Sequence, residues 1–320
     1  MNKFPKISVI VPAYNAEKTI IQCIESLIIQ DYPVYEIIFV DNNSTDKTPE
    51  IIKRYGKIKY IQEKKKGSYA ARNTGVKFSN GEIIVFTDSD CILKKNWLEK
   101  LTAPIRSGKC IAAMGGTLSA GSERLDRIEQ DAYDAHLNKI REGNNLKTID
   151  TRNFAITRAV FKDGNFFNEK IMFSGDAEYG MMLNKKGYEI YLAEGAELKH
   201  FHKSSFKKVF KTKFLQSYYG TISYKKGLYL EGFRFRYYFS ILFLLSVCMD
   251  LLVLIISKKM IHPILLMLPV FFLTSSPYIL KSILKLDFYE VFYYLVSVVA
   301  IRLGVVKYLI DKYVRIKKNL

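Results

Sequence analysis

A chain of 320 residues with 49 lysines and arginines against 31 aspartates and glutamates carries a net charge of +18, so its partners are anionic: nucleic acid, acidic lipid or small phosphorylated ligands. Its apolar residues mix with charge over the first two hundred positions and dominate from 237 to 310, which separates a soluble portion from a membrane region and favours lipid and small anions over nucleic acid. The four cysteines, Cys23, Cys91, Cys110 and Cys248, form no CxxC pair and offer no zinc spacing, implying reduced thiols in a cytosolic setting; the short N-terminal apolar run soon meets Pro12 and gives no signal peptide.

In chain order, Ile7 to Val11 is a β-branched run that stops at Pro12, and Glu17 to Ile29 then places Ile20, Ile21, Ile24, Leu27 and Ile28 at helical spacing. A second strand and helix follow, with Glu36 to Val40 extended, a polar turn from Asp41 to Asp46, and a helix opening near Thr48 with Pro49 in its first turn. The third pair is Ile58 to Ile61 and a helix around Ala70 to Lys77, joined by the Lys64 to Gly67 loop. A fourth strand, Ile83 to Phe86, breaks off into Asp88 and Asp90. This alternation predicts an α/β fold with a mostly parallel, doubly wound central sheet whose strand-end loops converge on one rim.

Those loops carry chemistry. Tyr14 can stack on a base, Asp41 or Asn42 can accept and donate at a base edge, and Arg72 offers paired donors to phosphate. Asp88 and Asp90 share the rim, and two close carboxylates repel unless a cation sits between them; hard oxygen ligands suit Mg2+ or Mn2+ holding a diphosphate. The same two aspartates also suit turn and helix-cap chemistry.

The order VPAYNAEKTI, VDNNSTDKT, GSYAARNTG and FTDSD resembles the inverting family 2 glycosyltransferases of the GT-A fold, over positions 5 to 203. The resemblance implies that Pro12, Tyr14, Asp41 and Asn42 hold the donor nucleoside, that Arg72 and Asp88 lie by the diphosphate, and that Asp88 and Asp90 bind the divalent metal. Asn42 departs from the second Asp that many members carry, leaving open whether Asp41 or Asn42 reads the base. From Asn153 to His202 the chain resembles the family's acceptor half, with an NxAxxR segment, an acidic cluster and then a histidine. That likeness assigns the general base to Asp176, acceptor-side roles to Glu178 and Asn153, and a third metal position to His200. Gly175 stands where the family commonly has Glu. The implied reaction moves a sugar from a nucleotide donor, UDP-linked, to a lipid-linked or glycan acceptor at a membrane. Two other readings stay open here: a nucleotide-binding membrane scaffold or transport component, and a sugar-phosphate nucleotidyltransferase.

Beyond position 203 the character changes. Residues 204 to 232 set Phe206, Val209, Phe210, Phe214, Leu215, Tyr218, Tyr219 and Ile222 on one helical stripe among Lys207, Lys208, Lys211 and Lys213, the pattern of a basic interfacial helix on anionic membrane lipids. In the membrane region, 233 to 320, Tyr237 to Ser257 and Ile264 to Leu280 give about 21 and about 17 residues, enough for two spans. Val291 to Ile310 contains Arg302 and Lys307 and leads into a basic tail; as a third span it would put that tail away from the basic catalytic side, so an interfacial helix is expected there, with three spans as the alternative. This predicts a multi-pass cell-membrane protein with the catalytic domain in the cytoplasm.

Overall fold

The computed structural model describes residues 5–201, 205–225 and 288–318. The expected spans at 237–257 and 264–280, and most of the expected 204–232 interfacial segment's C-terminal part, lie outside the described residues. The chain divides into two compact units, Met1–His202 and Lys203–Leu320.

In the first unit, β1 (Ile7–Ala13) is buried at every position, as a central strand covered on both faces must be. It pairs in parallel with β2 (Glu36–Asp41) on one side and β4 (Ile83–Phe86) on the other, and β2 pairs in parallel with β3 (Ile58–Gln62). The connecting helices are α1 (Ile20–Ile28), α2 (Thr48–Lys53) and α3 (Ser68–Phe78). Helix α1 buries Ile20, Ile24 and Leu27 as expected, adds Cys23 in place of the exposed Ile21 and Ile28, and opens three residues later than Glu17. The amides that would start it are taken by the neighbouring loop: Ala16 donates to Thr48 Oγ1 at 2.8 Å and Glu17 to Asp46 Oδ2 at 3.1 Å.

Past β4 the parallel order gives way. After β5 (Cys91–Leu93), α4 (Trp97–Arg106), β6 (Ala112–Met114), β7 (Thr117–Ser119) and α5 (Arg124–Ile140) come β8 (Arg141–Glu142), β9 (Asn145–Leu146) and β10 (Phe154–Thr157). Strand β10 inserts antiparallel between β4 and β6, so the sheet is mixed rather than parallel throughout. Helix α6 (Ala159–Lys162), α7 (Gly175–Lys185), β11 (Ile190–Leu192) and β12 (Leu198–His200) complete the unit. The large sheet runs β3-β2-β1-β4-β10-β6-β11-β9-β8, and a small one runs β5-β12-β7. Because β10 is reversed, its N-terminal end joins the rim formed by the C-terminal ends of β1, β2 and β4. That reversal brings 150–153 to the site.

In the second unit, α8 (Phe206–Lys225) and α9 (Phe288–Lys318) pack side by side, with Phe206 against Tyr289 and Phe292, and Ser217 Oγ donating to the Ile301 carbonyl at 2.8 Å. Val209, Ser217 and Thr221 are buried while Lys207, Lys208 and Lys211 are exposed. Within α9, Tyr289–Val314 is 26 residues and, by length and composition alone, could cross a membrane. It is longer than the interfacial helix expected from 291 to 310.

Candidate active site

The donor side is built by the loops after β1 and β2, which lock onto each other. Asn15 donates its amide to Ser44 Oγ at 3.0 Å and accepts the Thr45 amide on Oδ1 at 2.8 Å. Tyr14 stands 61% exposed beside them, free to stack, whereas Pro12 is a buried residue of β1 opposite Val40. Among the described residues, the non-glycine positions with left-handed backbone are Asn15 (φ 48°), Asn43 (φ 62°) and Ser174 (φ 60°), two in these loops and one at the start of α7. Such conformations persist where surrounding structure over-determines them, and here they cluster on the rim.

The structure separates Asp41 from Asn42. Asn42 donates from Nδ2 to the carbonyls of Glu63 (3.0 Å) and Lys65 (2.7 Å) and accepts the Gly67 amide on Oδ1 at 2.7 Å. Its side chain ties the Lys64–Gly67 loop down and is spent doing so, which removes it as a reader of the base. The Asp41 carboxylate, among the described residues, accepts the Ser44 amide (3.2 Å) and a long contact from the Tyr60 hydroxyl (3.4 Å), so its lone pairs are not all spent within the fold.

At the end of β4, Asp88 Oδ1 accepts from Arg72 Nη2 at 2.5 Å. Burial raises the Asp88 carboxyl above its ordinary range, against the lowering pull of Arg72 and with the help of the Asp90 charge. Asp90 goes the other way: burial would raise it, but the hydrogen bond and charge of His200, with Arg152 behind, hold it down. Among the described residues, Asp90 Oδ1 is buried with no hydrogen-bond partner. An orphaned carboxylate oxygen beside a second carboxylate fits a divalent cation of the kind that keeps one or two acidic ligands and completes its shell from substrate phosphates.

His200 sits against Asp90. Its Nε2 lies 3.4 Å from Asp90 Oδ2, but its Nδ1 faces Arg152 Nη1 at 3.1 Å. A guanidinium only donates, so Nδ1 accepts and the ring proton sits on Nε2, pointing at Asp90. In this arrangement His200 supports Asp90 through Nε2, the ring nitrogen that faces the carboxylate pair. Arg152 is itself clamped by Asp150 through Nε and Nη2 at 2.5–3.0 Å. The Arg152 charge holds the Asp150 carboxyl low although burial opposes it.

Asn153 also moves from its expected role. It is 0% exposed; Oδ1 accepts from Trp97 Nε1 at 2.9 Å and Nδ2 donates to the carbonyls of Gly116 and Ala196, both at 2.7 Å. It belongs to the core beneath the rim and cannot touch an acceptor. Asn153→Ala takes their partner from the buried Trp97 indole N–H and the Ala196 carbonyl and is expected to destabilise the fold by about 3 kcal/mol, lowering Tm by roughly 10 °C in a thermal melt. A melting point unchanged from the parent would contradict that reading.

The expected acceptor side is α7. Asp176 lies in its first turn, half-buried, accepting the Ala177 amide on Oδ1 at 2.9 Å. Burial first, then the negative charge of Asp150, push its carboxyl up to about 6, against the Ala177 hydrogen bond and the charges of Arg72 and Arg152. Glu178 is buried and accepts from Asn168 Nδ2 on both oxygens at 3.2 Å.

Sequence comparison now bears on what this rim is. The family model described as "Glycosyl transferase family 2" matches residues 8–165. A Methanococcus voltae protein named dolichyl N-acetyl-alpha-D-glucosaminyl phosphate 3-beta-D-2,3-diacetamido-2,3-dideoxy-beta-D-glucuronosyltransferase is 30% identical over 262 residues, 74% of this chain and 77% of that one. The chain belongs to glycosyl transferase family 2. Another relative, Glycosyltransferase AglE of Haloferax volcanii, is 32% identical over 200 residues, 59% of this chain, which spans 64% of that protein's length. Among solved structures, the mannosyltransferase PcManGT of Pyrobaculum calidifontis, in complex with GDP-Man and Mn2+, superposes with a TM-score of 0.66 at 17% identity, covering 96% of this chain and 88% of that one, and supports the GT-A fold.

Three residues of this family 2 site carried no assigned role at the sequence level: Asp150, Arg152 and Tyr69. Arg152 stands next to the NxAxxR segment, whose own Arg158 caps the opposite end of β10 by donating to the Gly81 carbonyl. Only the reversal of β10 makes Arg152, and not Arg158, the residue on the rim.

Proposed function

We propose that the chain is an inverting glycosyltransferase that moves a sugar from a nucleoside diphosphate donor, UDP-linked, to a lipid-linked acceptor at the cytoplasmic membrane surface, in cell-surface glycan assembly. The observation that carries this reading is the single face of α3 from which Arg72 reaches Asp88 and Tyr69 reaches Asp176, setting a diphosphate-side acid and an acceptor-side acid on one rim. The printed name of the Methanococcus relative, a transferase acting on a dolichyl phosphate sugar, supports the acceptor class.

In the proposed reaction an acceptor hydroxyl attacks the anomeric carbon, Asp176 takes its proton, and the bond from that carbon to the β-phosphate oxygen breaks, releasing the nucleoside diphosphate. Arg72 donates to the phosphate region, Tyr14 stacks on the base and Asp41 accepts at its edge. Asp88 and Asp90 would hold Mg2+ or Mn2+, which would supply Lewis-acid stabilisation to the leaving diphosphate. Residues 1–203 form the catalytic portion, 204–232 an interfacial segment, and 233–320 a multi-pass membrane region that keeps the site near its acceptor. The lysines of α8 support attraction to anionic lipid.

Because Asp176 must be ionised to accept the proton, and its carboxyl titrates near 6, kcat/KM is expected to climb as pH rises through about 6 and to fall below it. A flat profile between about pH 5 and 7 would remove Asp176 as the base. The anomeric configuration of the product, read by NMR, should be opposite to that of the donor. Retention would contradict the inverting mechanism.

A further inference from the structure

We infer that Tyr69 is a positioning residue for Asp176, holding the carboxylate and the opening turn of α7 in register with the face of α3 that carries Arg72. The inference rests on Asp176 as the general base. The Asp176 amide donates to Tyr69 Oη at 3.0 Å, and the Tyr69 hydroxyl points back to Asp176 Oδ1 at 3.4 Å. The first amides of a helix have no partner within it. Ser174, at the N-cap of α7, makes no side-chain cap and adopts the left-handed conformation, so the phenol from α3 satisfies an amide that the helix leaves unpaired.

Tyr69 is itself immobilised. It is 5% exposed, its ring stacks on Phe167 at 5.7 Å and the Arg72 guanidinium lies over it at 5.6 Å. Gly175 makes the approach possible, since a Cβ there would sit 2.5 Å from Tyr69 Cε2. Tyr69, Arg72 and Asn73 fall at i, i+3 and i+4, one face of α3. From that face Tyr69 holds Asp176, Arg72 holds Asp88, and Asn73 pins the segment leading into α7 by bonds to both the amide (3.0 Å) and the carbonyl (2.9 Å) of Phe167. One rigid helix therefore sets the distance between the acid of the donor side and the acid of the acceptor side.

Tyr69→Phe keeps the ring, its stack and its contact with Gly175, and deletes only Oη. In the full-length protein, hydrogen exchange of the Asp176 amide is expected to quicken by about tenfold or more, a measurement that needs no acceptor. In membranes carrying the full chain, incubated with radiolabelled UDP-N-acetylglucosamine, UDP-glucose, UDP-galactose and GDP-mannose, kcat on the transferred donor should fall about ten- to a hundredfold with donor KM unchanged. The double variant Asp176→Asn/Tyr69→Phe should turn over no more slowly than Asp176→Asn alone, because the phenol acts through the carboxylate. Unchanged amide exchange, a raised donor KM in place of lowered kcat, or additive losses in the double variant would each overturn the inference. Parent turnover in Tyr69→Phe beside a crippled Asp176→Asn overturns the positioning role alone. Parent turnover in Asp176→Asn overturns the base assignment on which it stands.

Discussion

Asp176→Asn is expected to lower kcat by about two to four orders of magnitude while leaving donor affinity within about twofold of the parent. The amide matches the carboxylate in size, and the backbone contact to Tyr69 does not depend on the acid, so the first turn of α7 should stay in place. What disappears is the proton acceptor. Donor affinity should survive because the donor side is made by the loops after β1 and β2, which are tied to each other through Asn15, Ser44 and Thr45 and not through α7. Glu178→Gln should be milder. Its carboxylate is buried against Asn168, so replacing it perturbs packing of the segment before α7 without removing a group from the reaction. Turnover and nucleotide-sugar affinity for both variants decide the matter. A mild Asp176→Asn with a dead Glu178→Gln would exchange the two roles, and a collapse of donor affinity in Asp176→Asn would move that residue to the donor site.

Asp90→Ala is expected to abolish detectable transfer in a protein that still folds, with Tm within about 3 °C of the parent. Among the described residues Oδ1 has no hydrogen-bond partner and Oδ2 meets His200 at 3.4 Å, so little stability is expected to depend on it. Transfer is expected to depend on it far more, because Asp90 would help to hold the divalent cation that stabilises the leaving diphosphate. Chelation of the parent should reproduce the loss, and Mn2+ or Mg2+ should restore the parent but not the variant. Activity that survives both the substitution and EDTA would sink the metal-assisted mechanism.

The first half of the fold was legible because its signals are local. Ile7 to Val11, Glu36 to Val40 and Ile83 to Phe86 are short apolar runs ended by polar turns, and α1 carries its spacing in Ile20, Cys23, Ile24 and Leu27; each pattern is contained within a dozen residues. The parallel direction of β1, β2, β3 and β4 follows from alternation alone. The reversal of β10 does not, since no local pattern distinguishes a strand entering a sheet antiparallel from one entering parallel. Everything that depends on the reversal was accordingly hidden: Arg152 and Asp150 at the rim, the capture of His200 Nδ1, and the burial of Asn153 under Trp97 and Gly116.

Residue type also misled where side-chain partners come from distant loops. Asn42 and Asp41 look equivalent as readers of a base, and only the backbone of Glu63, Lys65 and Gly67 shows that Asn42 is occupied. Tyr69 stood inside GSYAARN as a spacer between recognised residues, and its role required knowing that α7 comes to lie against α3 with a glycine at the contact. The roles expected of Asp88, Asp90, Arg72 and Asp176 rest on short motifs, FTDSD, GSYAARNTG and the acidic cluster after Gly175, that carry the family resemblance.

The measurement that tests the central claim most directly is sugar transfer itself. Membranes from cells expressing the full chain, which supply the acceptor, are incubated with radiolabelled UDP-N-acetylglucosamine, UDP-glucose, UDP-galactose and GDP-mannose, with and without EDTA, and compared with membranes carrying Asp176→Asn. The account predicts that label from a UDP-linked sugar enters the organic-soluble, lipid-linked fraction with the parent chain, and that EDTA and Asp176→Asn both suppress it. Equal lipid-linked incorporation by parent and Asp176→Asn membranes, unaffected by EDTA, would contradict it.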